Sequence, residues 1–225
     1  MTPNLDREKQ LAAEQAVQYI QNDQIVGLGT GSSAVHAVQA IGRLVQEGLR
    51  IQGVPTSIRT KELAESLNIP LLDINEVEAI DLTIDGADEF TTDLMLIKGG
   101  GGALLREKIV ASLTRRQIII TDSSKKVEKL GKFKLPIEVI PFAWHYVMNQ
   151  LNQRGGKGVI RPSGDKPFLT DQGNYIVDTD FGLIEDPAAL AHELKTIEGL
   201  VGHGLFINLT HEVIMGMGDT TQSFR

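Results

Sequence analysis

Gln24-Ile25-Val26-Gly27-Leu28-Gly29-Thr30-Gly31-Ser32-Ser33 begins as a short apolar run and ends in glycines and hydroxyls. A run of this length bounded by glycine reads as a strand covered on both faces. Residues 32–47 that follow have the apolar spacing of a helix, which Gly48 stops. A strand that passes through a glycine-rich turn directly into a helix opens a βα unit. The glycines let the backbone approach an anion, and the helix start offers free N–H groups and a partial positive charge. Thr30, Gly31, Ser32 and Ser33 form the turn, and its three hydroxyls can donate to phosphate oxygens. The dinucleotide spacing is not met, because Ser32 stands where the third glycine is required, and no Walker lysine follows. Taken alone, the turn is a weak signal, and a tight strand-to-helix connection with a Ser cap is the alternative reading.

The alternation extends in both directions. Residues 5–21 predict an amphipathic helix with Asp6 near its start. After the second helix come a strand at 50–54, a helix at 59–67, and strands at 71–73 and 82–85. A helix at 103–112 and a strand at 117–121 follow. Strands separated by helices predict a parallel sheet covered on both faces. From about Lys132 the rhythm changes. A strand at 137–140, a helix at 142–153, a turn at 155–158 and strands near Val159, Phe168 and Tyr175 precede a helix at 187–197 and a strand at 201–206. Asp171-Gln172-Gly173 reads as a hairpin turn, and Asp186-Pro187 as a helix start with Gly199 past its end. With two of the three middle strands counted as pieces of one long ribbon, the order is β-α-β-β-α-β, the ferredoxin-like one. Residues 212–217 predict one more strand returning to the first sheet. The expected architecture is α/β, a Rossmann-like three-layer main domain (1–131 and 208–225) with a small ferredoxin-like α+β lid (132–207).

Composition narrows the function. The formal net charge is −7, and Arg115-Arg116 and Lys125-Lys126 are the only dense basic pairs, so nucleic acid is not an expected partner. Any anionic ligand needs a local site. No apolar run reaches membrane-spanning length, and the first residues lack a secretory h-region. With no cysteine in the chain, disulfides and thiolate chemistry are excluded; a cytoplasmic location fits.

Two further segments bear on chemistry. Asp85-Gly86-Ala87-Asp88-Glu89 follows the apolar run 82–84, and ligands of parallel sheets gather beyond the carboxyl ends of strands. Its three carboxylates are expected to face the same crevice as the first turn, managing protons or hydrogen bonds rather than a metal, since no histidine accompanies them. Lys98-Gly99-Gly100-Gly101-Gly102 then leads into a helix carrying Arg106-Glu107-Lys108. Successive glycines before a helix weaken it, which points to a need for bare backbone. Their N–H groups, with Lys98, can stabilise an oxyanion, and Glu107 in the second turn can act as a general base.

In this order and spacing, these segments closely resemble ribose-5-phosphate isomerase of the A type. Asp122-Ser123-Ser124-Lys125-Lys126 and the run Gly131-Lys132-Phe133-Lys134-Leu135-Pro136 extend the resemblance over nearly the whole chain. It implies Glu107 as catalytic base, Asp85 and Asp88 beside the sugar hydroxyls and ring oxygen, and Lys98 with Gly99, Gly100 and Gly101 at the reacting end. Thr30, Gly31, Ser32 and Ser33 match the substrate-binding turn, with Gly86 and Ala87 lining the site. Lys125 matches a substrate-binding lysine, and Lys9 another in the first helix. The resemblance also implies a sugar-phosphate substrate, a homodimer, and neither metal nor cofactor. Trp144 and Leu209 stand where relatives often carry Arg.

Rival readings are an amino-sugar phosphate deaminase, a coenzyme A transferase with a nucleophilic glutamate, and a non-catalytic sugar-phosphate sensor. A sensor is the less expected reading, since such proteins carry a DNA-binding helix-turn-helix, this chain starts almost directly with its first helix and strand, and it keeps Glu107, Asp85 and Lys98 together. The five histidines lack metal-ligand spacing and take no role. Trp144 and Tyr146 are expected to pack the lid core, and Asp178 and Asp180 to flank a solvated turn after a strand.

Overall fold

The computed structural model describes residues 4–225. The six-stranded sheet runs, edge to edge, Thr220–Phe224, Glu212–Met217, Thr114–Thr121, Ile80–Gly86, Gln24–Leu28 and Ile51–Pro55. All neighbours are parallel except the first pair, which is an antiparallel hairpin. The chain leaves Gln24–Leu28 for one side of the sheet and resumes on the other with Ile80–Gly86. Their carboxyl ends therefore flank the point where strand order reverses, where a crevice opens in such sheets. The glycine turn and Asp85 lie at those two ends.

Helices α1 (Leu5–Ala16), α2 (Ser32–Gln46), α3 (Ile58–Ser66) and α4 (Leu104–Leu113) cover the sheet. Alternation in the central strand sorts the two faces. Ile118 and Ile120 join Ala12, Ala16 and Ile41, whereas Ile119 packs with Phe90, Leu96 and Phe206. Alanines on α1 bring its backbone onto the strand Glu212–Met217, where a β-carbon at Gly216 would lie 2.6 Å from Glu8 Cα.

The second antiparallel sheet has the order Leu200–His203, Leu135–Val139, Tyr175–Asp180, Lys157–Ile160. Helices α5 (Trp144–Gln153) and α6 (Pro187–Leu194) cross between its strands. In chain order this is 4-1-3-2, the ferredoxin-like arrangement expected from the β-α-β-β-α-β pattern. Its core, around Ile137, Val147, Leu151, Val177 and Leu194, also draws in Ile97, Leu130 and Leu205.

Several local expectations change. The first α-helix stops at Ala16, tightens to a 3₁₀ turn through Tyr19, and extends at Ile20, which is buried. Residues 71–73 form only a bridge, Gly53 to Leu71, because Asp73 caps the 3₁₀ turn Ile74–Glu76. The strand expected at 201–206 breaks at Gly204, packed against the Lys98 carbonyl and Pro136, so that Leu205–Phe206 pairs instead with Leu96–Ile97. Phe168 is in no strand: the turn at 171–173 closes through Thr170 N–H to Asn174 O (2.9 Å), but its ladder is a single bridge. A hairpin ladder forms earlier, between Pro162–Ser163 and Lys166–Pro167. Asp178 and Asp180 lie within the strand Tyr175–Asp180, not after it, and Asp178 is paired with Arg161. Trp144 is half-buried against the second core, but Tyr146 is exposed, on the outer face of α5. No helix among the described residues is long and apolar enough to cross a membrane.

Gly216→Val should lower stability by about 1–3 kcal/mol, the usual range for overpacking, because the added carbons enter the backbone of α1. Thermal unfolding measures it; an unchanged melting temperature would show that α1 is not seated on the C-terminal strand.

Candidate active site

Gly31 ends the first turn at φ +104° and occupies the N-cap of α2 without any side-chain cap. The first-turn N–H groups of α2 are thus left for an outside acceptor, as an anion provides. A β-carbon at Gly29 would collide with Asp85, so only glycine lets the turn sit on that carboxylate. Asp85 Oδ1 accepts N–H bonds from Thr30 (3.0 Å) and Gly86 (2.7 Å), locking the ends of the two strands together.

Behind that link lies a buried charge cluster. Lys98 is 1% exposed. Its Nζ stands 3.0 Å from Asp85 Oδ2 and 3.1 Å from Glu107 Oε1, and donates to the Gly86 carbonyl. Burial works to lower the lysine's pKa, but Asp85 and Glu107 outweigh it and hold the ammonium above its ordinary value. Burial pushes the Glu107 carboxyl up; Lys98 pulls it down, and the charges of Asp85 and Asp88 push it up again, leaving it well above an ordinary glutamate. Glu107 Oε2 has no hydrogen-bond partner. A buried carboxylate with raised proton affinity and a free oxygen is suited to proton transfer.

Thr30, Gly31, Ser32, Ser33, Gly86, Ala87, Asp88, Lys98, Gly99, Gly101, Glu107 and Lys125 line one pocket. Asp88 Oδ2 accepts the Gly100 N–H at 2.7 Å. The residues singled out in the sequence thus converge, with four qualifications. The Thr30 hydroxyl turns away from the pocket, within 2.7–3.0 Å of the hydroxyls of Thr56, Ser57 and Thr60. Glu89 does not share the crevice: 3% exposed, it accepts the N–H groups of Gly131 (2.8 Å) and Phe133 (2.6 Å) on the segment leading to the second sheet. Asp85, 1% exposed, lies behind the wall, and Gly100 is exposed beside it rather than on it. Lys9 is also off the wall, its Nζ 3.9 Å from Asp122.

The triplet after the glycines splits three ways. Glu107 enters the pocket, while Arg106 lies 3.6 Å from Asp171. Lys108 donates to the carbonyls of His203 and Leu205 (2.8 Å for the latter). Burial, then Lys195, lower the Lys108 pKa to about 7. Burial, then Lys108 and Lys195, lower that of His203 to about 3.

Sequence reasoning missed several supports. Asp122 caps the turn that carries Lys125, accepting from Ser124 N–H (3.0 Å), and the Asp-Ser-Ser pattern was a usable signal. Glu8 ties the same turn to the C-terminal hairpin, accepting from Ser123 N–H and Gly218 N–H, each at 2.8 Å. Arg161 reaches the glycine run from the second sheet, and no local signal could have named it.

A family model described as Ribose 5-phosphate isomerase A (phosphoriboisomerase A) matches residues 52–220. The chain belongs to the ribose 5-phosphate isomerase A family. A relative of that name from Bacillus mycoides (strain KBAB4) is 50% identical over 209 residues, 92% of this chain and 95% of its own. Another from Sphingopyxis alaskensis is 47% identical, over 97% of this chain and 96% of its own. A solved ribose 5 phosphate isomerase A from Neisseria gonorrhoeae superposes with a TM-score of 0.93 at 35% identity, covering 100% of this chain and 98% of that one. A D-ribose-5-phosphate isomerase in complex with phospho-erythronic acid gives 0.95 at 37% identity over 98% of each chain.

Lys98→Met should abolish turnover and cost about 3–5 kcal/mol near neutral pH, since it leaves two carboxylates buried without their cation. Glu107, whose proton affinity is raised even with Lys98 present, binds its proton more tightly without it, so the deficit should grow as the pH rises from neutral to about 9. Urea unfolding of both proteins at the two pH values tests it; a deficit independent of pH would mean that the carboxylates do not feel Lys98.

Proposed function

We propose that this chain interconverts D-ribose 5-phosphate and D-ribulose 5-phosphate by proton transfer through an enediolate, as the non-oxidative pentose phosphate pathway requires. The observation that carries this reading is Glu107: buried, with raised proton affinity, anchored through one oxygen and free at the other, in a pocket walled by glycine-loop backbone.

In this mechanism the phosphate sits at the N-terminus of α2, among Ser32, Ser33 and Lys125. Asp88 assists opening of the furanose ring, and Asp85 fixes Lys98 and the Thr30 turn. Glu107 removes the C2 proton of the open-chain aldose. The resulting enediolate charge on O1 is met by glycine-loop N–H and by Lys98. The hydroxyl proton passes from O2 to O1, and protonated Glu107 delivers its proton to C1, giving the ketose. Binding energy at the phosphate end positions C1 and C2 for the transfer. No step calls for a metal or cofactor. We also assign the protein to the cytoplasm as a homodimer, with 132–207 acting as a lid on the remainder; the family resemblance supports this assignment.

Wild-type protein should convert ribose 5-phosphate to ribulose 5-phosphate with EDTA present. Glu107→Gln should lose about 10²–10⁴-fold in kcat, the usual range for a general base. Near-normal turnover by this variant would refute the scheme. The pH profile is a separate check. Glu107 must be ionised to accept a proton and its pKa is raised, so kcat/KM should fall as pH drops through a limb above the ordinary glutamate value of about 4.3. A limb at or below that value would place the base elsewhere.

A further inference from the structure

Four successive glycines have no conformation of their own to prefer, and ordering them costs more backbone entropy than ordering any other residues. Gly99 and Gly102 nevertheless stand at φ +109° and +83°. What selects this shape comes from the second sheet. Arg161 Nη1 donates to the carbonyls of both Gly99 (3.0 Å) and Gly100 (3.1 Å). The rest of the same guanidinium is held by Asp178, through Nε at 2.9 Å and Nη2 at 2.6 Å. The Phe168 ring packs 5.8 Å from the guanidinium and against Gly102, where a β-carbon would lie 2.5 Å from it.

We propose that Arg161 is a positioning residue for the reaction, orienting the two peptide planes of the glycine loop so that their N–H groups serve the pocket. In a trans peptide the C=O and N–H point in opposite directions. Holding the Gly99 carbonyl therefore aims the Gly100 N–H away from Arg161, and it lands on Asp88. Holding the Gly100 carbonyl likewise turns the Gly101 N–H away from Arg161, and Gly101 lies on the pocket wall. One planar fork thus fixes both the Asp88 carboxylate and a backbone donor for the enediolate oxygen. Lysine cannot replace it, because a single ammonium cannot hold two carbonyls and grip Asp178 bidentately with the same geometry. The inference rests on the isomerase reading, with Glu107 as base, and Arg161 itself does not touch substrate.

The test compares wild type, Arg161→Lys and Asp178→Asn by kcat, KM and the inhibition constant of phospho-erythronic acid, whose carboxylate imitates the charge of the enediolate. Wild type is assayed first, and its inactivity would defeat the isomerase reading itself. With active wild type, both variants should lose about 10-fold or more in kcat, since a misaimed oxyanion donor weakens transition-state binding. The inhibition constant should rise by a similar factor while KM moves less than about three-fold, the mark of an interaction made in the transition state rather than with bound substrate. A variant that is merely less well folded loses kcat with the inhibition constant unchanged, and that pattern would overturn the proposal. So would wild-type values for both constants in folded Arg161→Lys. Should that variant not fold, Asp178→Asn decides by the same readings.

Discussion

Lys98 sits between Asp85 and Glu107 where water does not reach. An ammonium is costly to bury, and in a medium of low polarity it remains charged only with close anionic partners. Two carboxylates around one ammonium leave one negative charge over, and the surroundings decide where that excess is felt. Asp85 has two backbone N–H donors besides the lysine, whereas Glu107 Oε2 has none. Burial first, and the nearby charge of Asp85 after it, raise the proton affinity of Glu107 against the pull of Lys98. The arrangement raises the proton affinity of one carboxylate and makes the other a tie between strand ends, although in sequence both look alike.

Each member of this cluster comes from a different part of the main sheet's frame. Asp85 ends a central strand, Glu107 stands in the helix that precedes the next strand, and Lys98 lies in the excursion between them. The Lys98 N–H is bonded to the Gly204 carbonyl, on the strand pair returning from the second sheet, at 2.9 Å. Glu89, beside the pocket residue Asp88, holds the backbone at the start of that second sheet. The second sheet is therefore joined to the pocket at its entry, at its exit and, through Arg161, at the glycine loop. Movement of one sheet against the other would be felt at the reacting groups.

The architecture was legible because it rests on periodicities that survive without context. Apolar runs between amphipathic helices gave the parallel sheet, and the change of rhythm near Lys132 gave the second sheet with its strand order. What failed was local chemistry competing with pattern. Asp73 capped a turn instead of extending a strand, and Gly204 cut an apolar run so that its halves joined different sheets. The pocket residues were legible because glycines and carboxylates cluster at the ends of strands. Their orientations were not. The hydroxyl of Thr30 looked like a phosphate donor but meets a buried group of hydroxyls, Thr56, Ser57 and Thr60, at the start of α3. Arg161 acts on backbone carbonyls about 60 residues away, and a carbonyl leaves no trace in sequence.

The charge distribution also divides the work within the pocket. The chain as a whole repels anions at a net charge of −7, and Lys98, though cationic, is already neutralised by Asp85 and Glu107. A phosphate therefore gains little from Lys98. It is left with the uncapped start of α2 and with Lys125, whose turn is fixed by Asp122 and Glu8. These donors are mostly backbone dipoles, which hold an anion without a titrating group of their own. That separation suits the proposed chemistry. A phosphate resting on Lys98 would draw the ammonium away from Glu107, and the glutamate's proton affinity would then depend on whether substrate was bound. In the proposed mechanism the phosphate is held by α2 and Lys125, and Glu107 keeps the affinity that its buried neighbours set.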